Sequence, residues 1–123
     1  MNEKSEELLV KLALLKQGYA QKLPAAIDQI IVDWKSLQTD TWDQDKLDAL
    51  IFKVHKLTGS SGTLGFMDIS QISSRIEELL RKAKMEGKRL DQWQIAKIDG
   101  IMLELKHALI ILDEVNHPKI DGN

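Results

Sequence analysis

Apolar residues recur along this chain at intervals of three and four, and in five stretches they fall on one arc of a helical wheel. From about Glu3 to Gln21 the set is Leu8, Leu9, Leu12, Leu15 and Tyr19, a spacing that predicts an amphipathic helix. Pro24 fits best in the first turn of a new helix, where its missing N–H is not needed. Ile27, Ile30, Ile31, Trp34 and Leu37 form that helix's stripe, so the chain should bend or kink between the two. Polar, turn-like residues 38–43 follow, and Thr41 with Gln44 has the spacing of a capping box. The helix it would open has Leu47, Leu50, Val54 and Leu57 as its core arc. Beyond a glycine-rich run, Asp68 can cap a helix with the stripe Ile69, Ile72, Ile76, Leu79, Leu80 and Ala83, ended by Gly87. A last helix should start near Asp91, bury Ile98, Ile101, Met102, Leu105, Leu109, Leu112 and Val115, and stop before Pro118. No strand pattern competes. The expectation is an all-α chain: an antiparallel four-helix bundle with an additional N-terminal helix.

Composition narrows the class. The 123 residues, 43% hydrophobic and 29% charged, suffice for one modest core, so residues 1–123 read as a single domain, with 116–123 a flexible tail. A net charge of −2 with both signs interspersed provides no footprint for nucleic acid or an anionic membrane. The absence of cysteine rules out disulfides and thiolate metal sites and fits a reducing, cytoplasmic setting. The run Leu8 to Leu15 is broken by Lys11 and preceded by Glu3, Glu6 and Glu7, the reverse of a signal peptide's basic flank. No apolar run is long enough to span a bilayer.

Candidate chemistry concentrates at His55. On the helical wheel it lies about 120° from the centre of the core arc, so its imidazole should meet solvent. Its wheel neighbours are Asp48, Ile51, Phe52, Gly59 and Gly62, an outward face with two apolar side chains and two positions without any, on which a partner could dock. Gly59, Gly62 and Gly65 do not make a phosphate loop, because no strand precedes them and no Lys-Ser/Thr pair follows. His107 and His117 stand without a ligand cluster, so no metal site is expected. Trp34, Trp42 and Trp93 read as core or helix-end packing. Gly100 either marks a close helix contact or is simply tolerated.

The run His55-Lys56-Leu57-Thr58-Gly59-Ser60-Ser61-Gly62-Thr63-Leu64-Gly65 resembles the signature of the histidine-containing phosphotransfer (HPt) domain, commonly H-x-L-K-G-S-S-x-x-L-G. The resemblance in helix order extends over nearly the whole chain. It implies that His55 is the phosphoacceptor, taking a phosphoryl group from the aspartyl phosphate of one receiver domain and passing it to an aspartate of another, with no ATP site or cofactor of its own. It further implies that Gly59 lets the receiver approach and that Gly65 turns the chain. One position departs from the family: the lysine often found three residues after the histidine is Thr58. Lys56 and Arg81 are the candidates to supply that charge. Glu77 occupies the place of a glutamine that, in related domains, bonds to the histidine ring, and a carboxylate there would orient the imidazole. Glu77 and Arg81 equally fit an ordinary i, i+4 surface pair worth about 0.2–0.5 kcal/mol; with Ser70, Ser73 and Lys84 they lie on one flank of their helix. The rival reading is a helical adaptor that binds a receiver or other signalling partner through Ile51 and Phe52 without being phosphorylated.

Overall fold

Pro24 does not divide the chain. The computed structural model describes residues 3–39 and 42–116, and the two N-terminal helices expected from the sequence are one, α1 (Glu3–Thr39). The reason is visible in the stripe: Leu23, Ile27, Ile30, Trp34 and Leu37 are buried in one phase, in register with Tyr19 before the proline. Pro24 itself is exposed, so the Ala20 carbonyl it leaves without a donor faces the wet side of the helix. Three further helices follow, α2 (Gln44–Thr63), α3 (Met67–Glu86) and α4 (Gln92–Asn116). Among the described residues there is no strand, and no helix is long and apolar enough to cross a membrane.

The helix ends have local causes. Asp43, not Thr41, caps α2, its Oδ1 accepting the Asp45 N–H at 2.8 Å; Thr41 lies outside the described residues, as do His117 and Pro118. Asp68 does not cap α3 either. The cap position is Phe66, without a side-chain bond, and Asp68 sits in the first turn, where a carboxylate suits the helix dipole. A capping box does open α4: Asp91 Oδ1 accepts the Gln94 N–H at 2.8 Å while Gln94 Oε1 accepts the Asp91 N–H at 2.9 Å. Gly87 ends α3 with a left-handed backbone.

The core is shared by all four helices and includes Trp34, Ile27, Leu47, Leu50, Ile76, Leu80, Ile98 and Leu105. The Trp34 indole N–H donates to Asp99 Oδ1 at 2.7 Å, which fastens α1 to α4. On the other side of α1, Asp33 accepts from Lys53 of α2 and from Gln29. Burial pushes the Asp33 carboxyl upward, but those two donors and the Lys53 charge outweigh it and hold the group below its usual range. Between α2 and α3, Asp48 meets Lys84, His55 meets Glu77 and Thr58 meets Ser73, so numbers rise on one helix as they fall on the other.

Several expected core positions are open. Trp93 is 87% exposed rather than packed at a helix end, because α4 turns that side from the bundle in its first turn. Val115 is exposed. Leu8, Leu9, Leu12 and Leu15 carry the periodicity of a buried stripe but are exposed as well, since α1 begins well before its first buried residue, Leu23. Gly100 has open space where a side chain would be, so it is tolerated and marks no close contact.

Candidate functional site

The second half of α2 is rich in hydroxyls that bond back into their own helix. Thr58, Ser60, Ser61 and Thr63 donate to the carbonyls of Val54, Lys56, Leu57 and Gly59, which satisfies much of their polarity within the helix, and Thr58 and Ser60 also meet Ser73 and Tyr19. Small, largely self-satisfied residues let α3 come close. A side chain on Gly62 would meet Ser70 Oγ at 2.9 Å, and Ser70 Oγ donates to the Thr58 carbonyl at 2.8 Å. Gly65, with φ of +88°, supplies the backbone turn that other residues rarely adopt. The Phe66 N–H closes the corner on the Ser61 carbonyl at 2.8 Å.

This close pairing sets Glu77 level with His55. The ring's Nδ1 lies 2.9 Å from Glu77 Oε2. A carboxylate only accepts, so Nδ1 is the donor, and in the neutral ring Nε2 holds the lone pair. The His55 side chain is 63% exposed and that of Glu77 14%: the carboxylate is largely covered while the imidazole is largely open. The same Oε2 accepts the Arg81 Nε–H at 2.8 Å, so the i, i+4 pair and the contact with the histidine coexist on one oxygen.

Phe52, Lys56 and Gly59 surround His55 on the outward face. Phe52 is 67% exposed, and nothing lies within 4 Å of where a Gly59 side chain would stand. Lys56 is exposed, on the flank of α2 turned from α3. Two residues expected on this face are not there. Ile51 is only 5% exposed and belongs to the core, because α2 is packed by both α1 and α3 and buries a wider arc than Leu47, Leu50, Val54 and Leu57 define. Gly62 is half-buried against Ser70 and serves helix packing rather than docking.

Thr58 is built into the α2–α3 seam, its Oγ1 donating toward Val54 O at 3.0 Å and Ser73 Oγ at 2.9 Å. Ser73 is fully buried, and Ser73 Oγ donates to the Ile69 carbonyl at 2.7 Å. This hydroxyl seam under the histidine was not legible as such. Its signal was the coincidence of small residues at 59–62 with serines at 70 and 73. His107 is exposed on α4, away from this site, and His117 lies outside the described residues.

The family model of the Hpt domain matches residues 6–114. The chain belongs to the Hpt family. No curated protein and no solved structure matches it. Hpt domains are phosphotransfer modules of phosphorelay signalling, phosphocarriers that interact with receiver domains. The match spans the hydroxyl-rich half of α2 and the whole of α3, so it contains every residue of the geometry just described.

Proposed function

We propose that this Hpt chain is a histidine phosphotransfer protein of a two-component phosphorelay, carrying a phosphoryl group on His55 between the aspartates of receiver domains. The observation that carries the reading is the bond between His55 Nδ1 and a shielded Glu77 carboxylate. With Nδ1 committed as donor, the Nε2 lone pair attacks the phosphorus of a receiver's aspartyl phosphate. The N–P bond forms as the P–O bond breaks, and the aspartate departs with that electron pair as a carboxylate. Nδ1 keeps its proton, so the ring becomes a positively charged phosphoimidazolium facing Glu77. A fixed negative group beside a developing positive charge lowers the barrier, and transfer to the next aspartate runs the same step backwards. Phosphoryl transfer needs little beyond positioning and charge stabilisation, and the metal ion such transfer uses would come with the receiver.

Phe52 and Gly59 form the docking face: an exposed aromatic beside a position with room for an approaching backbone. Arg81, half-exposed and tied to Glu77, supplies the charge for which Thr58 has no group, and Lys56 contributes from the solvent side. The paired registers of α2 and α3 support an antiparallel bundle acting as one domain in the cytoplasm, engaging neither nucleic acid nor membrane. The adaptor reading has one observation in its favour, since Thr58 is packed against Ser73 where the family often has lysine. Incubation with a phosphorylated receiver separates the two. Acid-labile, base-stable label on the parent and none on His55→Gln supports phosphotransfer, with His107→Gln unaffected; full labelling of His55→Gln refutes it.

A further inference from the structure

The N-terminal third of α1 projects from the bundle. Leu8, Leu9, Leu12, Leu14 and Leu15 are 41–66% exposed. The registers account for this: Tyr19 meets Ser60 close to the end of α2, so residues before about Lys16 run on past the corner. Residues 3–15 extend about 20 Å at 1.5 Å per residue, and five leucines on so short a segment exceed the scattered apolar exposure of an ordinary surface. Where this segment leaves the bundle, α1 and α4 stand apart around an open groove of about 980 Å³. Ala20, Pro24, Phe66, Leu109, Ile110 and Leu112 line it.

We propose that the chain forms a two-fold dimer in which the projecting α1 segment of each copy packs into the α1–α4 groove of the other. One chain thus carries both an apolar segment without a seat and an apolar seat without an occupant, side by side on α1. A single two-fold axis satisfies both, because an isologous contact repeats each half of the interface. The area is sufficient. A helix about 20 Å long and 10 Å wide hides about 300 Å² when half its wall is covered. With two segments and two grooves the total is about 1,200 Å², at the lower edge of specific, stable interfaces.

Both surfaces carry mixed charge, Glu3, Lys4, Glu6, Glu7 and Lys11 on the segment and Lys16, Asp113 and Glu114 along the groove, so the dimer rests on apolar area rather than on charge. Glu3, Glu6 and Glu7 at the start of the segment oppose an anionic lipid surface. The chain's own residues 117–123 include one large apolar side chain, Ile120, too few to cover five leucines. His55 points to the α3 side of α2, so the dimer leaves it open and is independent of the phosphotransfer reading.

Sedimentation velocity of the whole chain from micromolar to near-millimolar concentration tests the dimer. The parent is expected to shift from one chain's mass to two. Leu12→Glu combined with Leu15→Glu, and separately Ile110→Glu in the groove, should remain monomeric throughout. All three substituted side chains are exposed, so circular dichroism should show unchanged helicity. A parent that stays monomeric, including one whose segment binds lipid vesicles instead, overturns the proposal, and so does a dimer that persists in either variant.

Discussion

Removing the Glu77 carboxylate should slow phosphate acceptance by His55 without unfolding the chain. Glu77 Oε2 sits 2.9 Å from the ring nitrogen that must carry positive charge once the opposite nitrogen is phosphorylated. A hydrogen bond to a charged group is worth about 1.5–3 kcal/mol net. The carboxylate is mostly covered but the ring is mostly in water, so screening brings the value to the bottom of that range or just below it, about 1–1.5 kcal/mol. At 1.36 kcal/mol per decade, Glu77→Ala should then accept phosphate about tenfold more slowly. Stability should hardly change, because the other loss is a half-exposed i, i+4 pair with Arg81, worth about 0.3–0.5 kcal/mol. Glu77→Gln keeps a carbonyl oxygen that aims the ring but lacks the charge, and should fall between Ala and parent. The assay is single-turnover transfer from a labelled receiver at saturating concentration, with binding titrated separately so that docking does not pass for chemistry. If Glu77→Ala accepts phosphate at the parental rate, the carboxylate has no part in transfer.

Ile51→Ala should cost about 2–5 kcal/mol of stability as a cavity-forming change in the core, whereas Phe52→Ala should leave unfolding unchanged and weaken receiver binding by about 1–2 kcal/mol; urea titrations and binding isotherms on both variants check the contrast, and the reverse pattern would contradict it. Thr58→Lys forces a longer stem into the seam with buried Ser73, so the thermal midpoint should drop, by about 1–3 kcal/mol of stability. Its head should still reach water about one turn from His55 and prolong the phosphorylated state, and an unchanged midpoint would mean the seam is looser than described. Asp33 titrates below its usual range in the folded chain, so its contribution to stability is present above the unfolded value, about pH 3.9, and is lost as pH falls through the lower folded value. The stability gap between parent and Asp33→Asn should therefore stand at pH 7 and vanish well below pH 4; a gap of constant size across that range would show that the Lys53 contact is not electrostatic.

The helical period of the chain was legible wherever one side of a helix is covered, as in Leu47, Leu50, Val54 and Leu57 or Ile98, Ile101 and Leu105. Periodicity reports that a stripe exists, not what lies on it, which is why Leu8 to Leu15 looked like core and are not. It also draws a stripe too narrow when two neighbours flank a helix, and Ile51 was misplaced for that reason. Pro24 illustrates a local rule overridden by a longer one: proline prefers a first turn, but a buried stripe running from Leu23 to Leu37 in phase with Tyr19 keeps one helix intact. Trp93 looked like packing because tryptophan is rarely wasted on solvent, yet its place on the first turn of α4 decides otherwise. At the site, the open face of His55 and the shared flank of Glu77 and Arg81 could be read from spacing. The depth at which Thr58 and Ser73 meet could not, because it depends on the distance between two helix axes.

That distance is governed at Gly62. From the corner at Gly65, α2 and α3 open like the arms of a caliper, and Gly62 against Ser70 is the contact nearest the pivot. His55 and Glu77 lie seven residues farther along each arm, about 10 Å away, and their 2.9 Å bond has only about 0.3 Å to spare before it passes the usual limit. A methyl group at 62 would meet the Ser70 hydroxyl at 2.9 Å; with that hydroxyl kept on the Thr58 carbonyl the helices must part, and the arms would magnify that displacement at the tips. The aim of the histidine is thus set by a residue that has no side chain and touches neither the ring nor its partner, so a neutral-looking Gly62→Ala replacement would reach the chemistry as a change of gauge.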